Sequence, residues 1–222
     1  MSNNTVVCVG RFQPFHNGHY YHLRELIEEG LQPLVFIPVN TQLPREPFTF
    51  EQRKRMIQLS FADSAVQPII IPLDSNYQFL GKDESGLAIF DIKNWTDGIV
   101  QKVEDLFPNQ KVAYASGYNC EKYNLKYGSI DLGKIASVES LGNSNSIFER
   151  FIETKYKGQV HATQIRKQFI QKDEFGRFSL TTNGEFDANE VMPPQVVNYI
   201  NTECQNVLGS LHHYCHSAKF VT

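Results

Sequence analysis

Cysteine is scarce: Cys8, Cys120, Cys204 and Cys215 are the only four, and none stands in a Cys-x-x-Cys spacing. Long apolar runs are missing too. No stretch approaches the roughly 20 residues that a membrane span requires. The run from Val6 to Gly10, behind a polar N-terminus, is far too short for a secretory signal. These absences lead us to expect a soluble cytoplasmic protein with reduced thiols and no membrane partner. Positive charge is not in excess either. The formal net charge is −3, which argues against a dedicated nucleic-acid binder, although a local basic cluster suffices for a phosphate. The chain has no P-loop lysine motif, no His-Glu-x-x-His string, no internal repeat and no low-complexity linker.

What is present is enough for a core. Apolar residues make up 41% of 222 residues, and a single domain is expected. We expect a sheet-forming part over 5–145, a late motif with C-terminal helices over 146–210, and a tail over 211–222. Apolar runs at Val6 to Gly10, Leu34 to Val39, Val66 to Leu73 and Lys111 to Gly117 read as strands. Helices are expected from His19 to Glu29, Phe50 to Phe61 and Thr96 to Phe107. The second begins at a capping box, Thr49 with Gln52 three residues on. Strands that are apolar throughout, alternating with helices, imply an α/β fold: a Rossmann-like, doubly wound parallel sheet with helices on both faces. Farther on, shorter elements are expected at Glu121 to Tyr127, Lys134 to Leu141 and 143–153. A helix capped by Thr163 should run to about Gln171. Asn183-Gly184 suits a hairpin turn, and Pro193-Pro194 the first turn of a terminal helix reaching about Val207.

The chemistry concentrates in Gly10–His19, "GRFQPFHNGH", which runs from the first strand into the first helix. Loops at the carboxyl ends of parallel strands bind ligands, and a helix start suits an anion. Gly10 and Gly18 let backbone approach a ligand, His16 and His19 lie three apart, and Arg11 adds a planar donor fork. Three readings fit the histidines: phosphate binding, helix capping at the surface, or a metal site. Zinc would want a third ligand, and His22 belongs to a solvated helix face. A second cluster, "VHATQIRKQF", puts Thr163 at a helix start with Arg166 and Lys167 in its first turn. A basic pair there opposes the helix dipole, which makes sense if an anion shares the site. The alternative is an ordinary exposed pair.

Taken together, these motifs resemble the nucleotidyltransferase superfamily marked by His-x-Gly-His after strand one, and more closely its archaeal and bacterial nicotinamide-nucleotide adenylyltransferases. The carrying residues are Gly10–His19 unbroken, Pro47-Phe48-Thr49 with Arg53, Ala162-Thr163 with Arg166, Trp95 in "IKNWTDGI", and "VMPPQVV" near the end. His161 stands where relatives often have Ser or Asn, and the stretch Lys172 to Glu190 is longer than the pattern. The segment "GYNCEKYNLKYG" matches only loosely. Some relatives carry a second catalytic domain, for which this chain is too short.

The resemblance implies transfer of AMP from ATP to nicotinamide mononucleotide, forming NAD and pyrophosphate by direct in-line attack. It assigns His16, His19, Arg11 and Arg166 to catalysis. Gly10, Phe12, Gly18, Thr163 and Arg166 would bind ATP; Arg11, Trp95, Arg53 and Asn94 would bind the mononucleotide. Trp95 would stack on the nicotinamide ring, though a lone tryptophan also suits a core or rim. Arg53 would reach a substrate phosphate or lie on the surface of its helix. Magnesium is expected with ATP, without a protein metal cage. Self-association as a homo-oligomer is known among relatives. The open alternatives are a transferase for another phosphorylated acceptor and a regulator that binds NAD or ATP without turnover. The cluster of His212, His213, Cys215 and His216 has metal-ligand residue types but no partner half, and reads better as a frayed helix or tail.

Overall fold

Along strands β1 (Thr5–Val9) and β2 (Gln32–Pro38), successive side chains enter different cores. Val6, Cys8, Val35 and Ile37 face one buried cluster, while Val7, Leu34 and Phe36 face another. A strand that is apolar at every position therefore marks a sheet covered on both sides, since its side chains alternate between faces. The computed structural model describes residues 5–39, 46–74, 79–82, 88–90, 92–108, 113–115, 165, 169–182 and 187–217.

The main sheet has four parallel strands in the order β3-β2-β1-β6, with β3 at Ile69–Leu73 and β6 at Ala113–Ala115. On one face lie α1 (Asn17–Glu28) and α2 (Phe50–Ser60), contributing Leu23, Leu26, Met56 and Ile57. The other face is covered by α3 (Ile92–Leu106) through Ile99 and Val103. The chain thus forms the doubly wound sheet expected of it. Its strand order has a functional consequence. From β1 the chain steps outward to β2 and β3, then returns to place β6 on the opposite side of β1. The order reverses at β1, and the crevice at such a reversal is where open α/β sheets bind ligands.

Other elements depart from expectation. The polar stretch after β3 contains an antiparallel pair, β4 (Phe79–Lys82) with β5 (Ala88–Phe90). Helix α3 starts four residues before the expected Thr96, which brings Asn94 and Trp95 into its first turn. Gln171 is not helical; it lies in β7 (Ile170–Lys172), paired with β8 (Phe178–Leu180). This hairpin turns before the expected Asn183-Gly184, which lies outside the described residues. Asp173 organises the turn by accepting from the Phe175 and Arg177 amides, and Gly176 adopts φ 82°. After α4 (Ala188–Val191), the expected terminal helix is two helices, α5 (Pro194–Glu203) and α6 (Gln205–Ser217), divided at Cys204. Pro194 does occupy the first turn of α5. Helix α6 carries the chain past 211, where a tail was expected, as far as Ser217. Val196, Val197, Ile200 and Leu208 return to the core beneath α1 and α2. The elements expected at Glu121 to Tyr127, Lys134 to Leu141 and 143–153 lie outside the described residues.

The capping box of α2 forms as its sequence demands: the Gln52 amide donates to Thr49 Oγ1 at 3.2 Å, and the Thr49 amide to Gln52 Oε1 at 2.9 Å. Thr49→Ala should lower stability by about 1 kcal/mol, measured by urea denaturation. A change within error would mean the box contributes nothing.

Candidate functional site

The loop after β1 is built by packing before it can do any chemistry. Phe12 has φ 51°, in the left-handed region, which is uncommon outside glycine. Its ring folds back over Gly10, where an added Cβ would come within 2.6 Å of the ring. Gly10 is thus required by Phe12, whatever ligand it also admits. Phe12 and Phe15 are buried, and both rings pack against the His19 imidazole, with centroids at 4.8 and 5.6 Å. His16, the N-cap of α1, stacks on the same imidazole at 3.6 Å. Rings on several sides leave His19 little rotational freedom. Gly18 sits between the two histidines in the first turn of the helix.

The electronic state of His19 follows from its surroundings. The His16 main-chain N–H donates to His19 Nδ1 at 3.3 Å. An accepting Nδ1 leaves the proton of a neutral imidazole on Nε2, which then serves as a donor. Burial, followed by the neighbouring His16 and His22, holds the His19 pKa well below 6.5, even though part of the residue still meets solvent. His19 is a neutral hydrogen-bond donor near pH 7, and His22, expected on a solvated face, is part-buried with its Nε2 shielded from solvent.

Four polar side chains, Gln13, Asn17, Arg53 and Arg11, fasten this loop to distant chain. The buried Gln13 amide donates to the Phe48 carbonyl at 2.8 Å and accepts from the Phe48 amide at 3.0 Å. Asn17 Nδ2 donates to the Glu190 carbonyl in α4 at 3.0 Å. Arg53, expected to reach substrate phosphate or to lie on the surface, is fully buried. Its guanidinium donates to the main-chain carbonyls of Thr49, Arg11 and Pro38 at 3.1, 3.0 and 2.7 Å. Burial lowers its pKa to about 10, against which the Glu46 carboxylate acts, so it remains a cation. Arg11 is half-exposed and pairs with Glu46 at 3.0 Å.

Thr163 and Arg166 lie outside the described residues, as do the side chains of Asn94 and Trp95 and of the C-terminal His213, Cys215 and His216. The structure therefore gathers Gly10, Arg11, Phe12, His16, Gly18 and His19 at one helix start and puts Arg53 beneath them. Gln13 and Glu46 were missed in sequence. Only their flanking strings hinted at them, because their partners stand 35 residues away. Among the described residues no helix is long and apolar enough to cross a membrane, and no three His, Cys, Asp or Glu residues are grouped to hold a metal.

A family model described as cytidylyltransferase-like matches residues 7–168. The chain belongs to this family. Within it, the nicotinamide-nucleotide adenylyltransferase of Methanolobus tindarius is 32% identical over 68 residues, 30% of this chain and 39% of that protein. The protein of the same name from Methanospirillum hungatei is 35% identical over 72 residues, 31% of this chain and 41% of that one. The matches thus cover less than half the length of these curated relatives. A crystal structure titled as a bifunctional NMN adenylyltransferase/ADP ribose pyrophosphatase from Francisella tularensis aligns with 95% of this chain and 53% of its own. Its TM-score is 0.48 and its identity 17%.

Two outcomes test this geometry. Gly10→Ala should cost about 1–3 kcal/mol through overpacking, and much less in a Phe12→Leu background; equal costs would show that Phe12 is not the cause. Because folding depresses the His19 pKa, the unfolded chain takes up that proton first as pH falls. The stability from neutral His19 is present above about 6.5 and lost below it. His19→Asn should therefore lose less stability than the wild type between about pH 7 and pH 5, read from urea midpoints. An unchanged slope would contradict the assignment.

Proposed function

We propose that this protein transfers the adenylyl group of ATP to nicotinamide mononucleotide, releasing pyrophosphate. The observation that carries the proposal is the rigid His16–His19 pair at the start of α1, set at the strand-order reversal. The family match and the two relatives named as nicotinamide-nucleotide adenylyltransferases support the choice of substrates.

The reaction asks for no nucleophile from the protein. The phosphate oxygen of the mononucleotide attacks the α-phosphorus of ATP, the bond to the bridging oxygen breaks, and pyrophosphate departs in line. Catalysis then rests on positioning and on donors aimed at the charge that develops. His16 and His19 donate to the phosphoryl oxygens, His19 through Nε2–H. Gly18 keeps the helix start open beside them, and Gly10 with Phe12 shapes the floor under ATP. Arg11 contacts phosphate between the two substrates. Thr163 and Arg166 complete the grip on the leaving group, a role supported by Ile165, which is buried in the same core cluster as Phe12 and Phe15. Trp95 and Asn94, which begin α3, are assigned to the mononucleotide, Trp95 by stacking on the nicotinamide ring. Arg53 serves the mononucleotide indirectly, by holding the loop that carries Arg11.

The donors gathered here are imidazole and guanidinium nitrogens, with the Glu46 carboxylate engaged by Arg11. Magnesium prefers oxygen, so it fits this site as a passenger on the triphosphate, held by phosphate and water. When bound it neutralises phosphate charge. A single-domain cytoplasmic enzyme, acting alone or as a homo-oligomer, accords with this reading.

The test is pyrophosphate release with ATP or CTP, magnesium and a panel of phosphorylated acceptors. ATP with nicotinamide mononucleotide should exceed every other pair. Release no greater than the acceptor-free control would overturn the proposal, and a higher rate with CTP or another acceptor would reassign the substrate.

A further inference from the structure

Glu46 is a carboxylate where few are expected: its side chain is 6% exposed, at a site meant for phosphates. Negative charge there opposes anion binding, so its presence calls for a reason. Its Oε1 accepts from Arg11 Nη1 at 3.0 Å, and Arg11 is 49% exposed. Below, its charge also acts on Arg53, whose own donors go to main-chain carbonyls. Arg53 donates to the Arg11 carbonyl, so the main chain and the side chain of Arg11 are both held. A half-exposed arginine otherwise samples many rotamers and must lose that freedom each time it meets a ligand. A guanidinium has five N–H donors in a planar fork, so the one bond to Glu46 restricts where it can point and leaves donors for a phosphate.

We infer that Glu46 is a positioning residue, holding the Arg11 guanidinium in the orientation that meets the reacting phosphates. The inference rests on the proposed adenylyl transfer for its kinetic consequence, but not for its structural one. Glu46 does not touch substrate. Its effect passes through Arg11, and removing its charge costs preorganisation while raising the local positive potential. The expected signature is a fall in kcat with little change in KM, unlike the raised KM of a lost substrate contact.

A double-mutant cycle on the intact chain separates this role from a structural one. Glu46→Gln should lower kcat about tenfold or more and change either substrate's KM by less than about threefold. In an Arg11→Ala background the same substitution should change neither. A further fall of similar size in that background would show that Glu46 acts through the fold, and would overturn the inference. Glu46→Asp, which keeps the charge, should restore part of the rate; no restoration would also count against it. An arm independent of activity follows Arg11 directly by NMR of 15N-arginine-labelled protein, with its signal assigned by loss in Arg11→Ala. Glu46→Gln should shift or broaden that signal, and an unchanged signal would overturn the inference. A wild type inactive with nicotinamide mononucleotide, in which the Arg11 signal still responds to Glu46→Gln, would sink the proposed reaction but not the pairing.

Discussion

Everything at the candidate site hangs from one buried cation. The Arg53 guanidinium binds the carbonyl that ends β2, the carbonyl of Arg11 in the loop after β1, and the carbonyl of the α2 cap residue. Three pieces of chain that are distant in sequence meet on one planar group. Removing such a donor would leave those carbonyls to find new partners inside the protein, and unmade buried hydrogen bonds are costly. With a pKa near 10 despite its burial, the group remains charged at neutral pH. The loop it secures carries Phe12, Phe15 and the two histidines, so rigidity flows outward from Arg53 to His19.

That rigidity suits phosphoryl-type chemistry. Donors that are already aimed need no reorganisation when charge develops. The ring box around His19 fixes its plane, and the main-chain bond to Nδ1 fixes its tautomer. At the loop the Arg11 guanidinium pairs with the Glu46 carboxylate, and the Arg53 guanidinium is buried behind them. The chain's slight negative net charge is therefore no obstacle to a site for anions.

How much of this could be read in advance depended on the range of each interaction. The doubly wound sheet was legible because burial on both faces leaves strands apolar at every position, as in Val6 to Cys8 and Leu34 to Ile37. The α2 capping box was legible because Thr49 and Gln52 lie within one turn. The loop string marked the candidate site, and the strand order reverses beside it. What escaped were contacts across 35 to 42 residues: Gln13 with Phe48, Arg11 with Glu46, and Arg53 with Arg11. No local periodicity encodes these. Arginine is seldom fully buried, so nothing local to Arg53 signals its place in the core. The break at Cys204 was missed because neither glycine nor proline marks it, and the 170–180 hairpin because its turn is made by Asp173 accepting from main-chain amides rather than by a turn dipeptide.

The proposed function requires that phosphates of a nucleotide bind to the His16–His19 pair. It is tested most directly by NMR of the histidine Cε1–H signals, titrated with pH in the absence and presence of saturating ATP and magnesium. The His19 signal should shift on addition of nucleotide and its depressed pKa should rise, since a nearby anion favours the protonated form. His16 and His19 signals that stay in place, with unaltered titration, under conditions where ATP is shown to bind would contradict it.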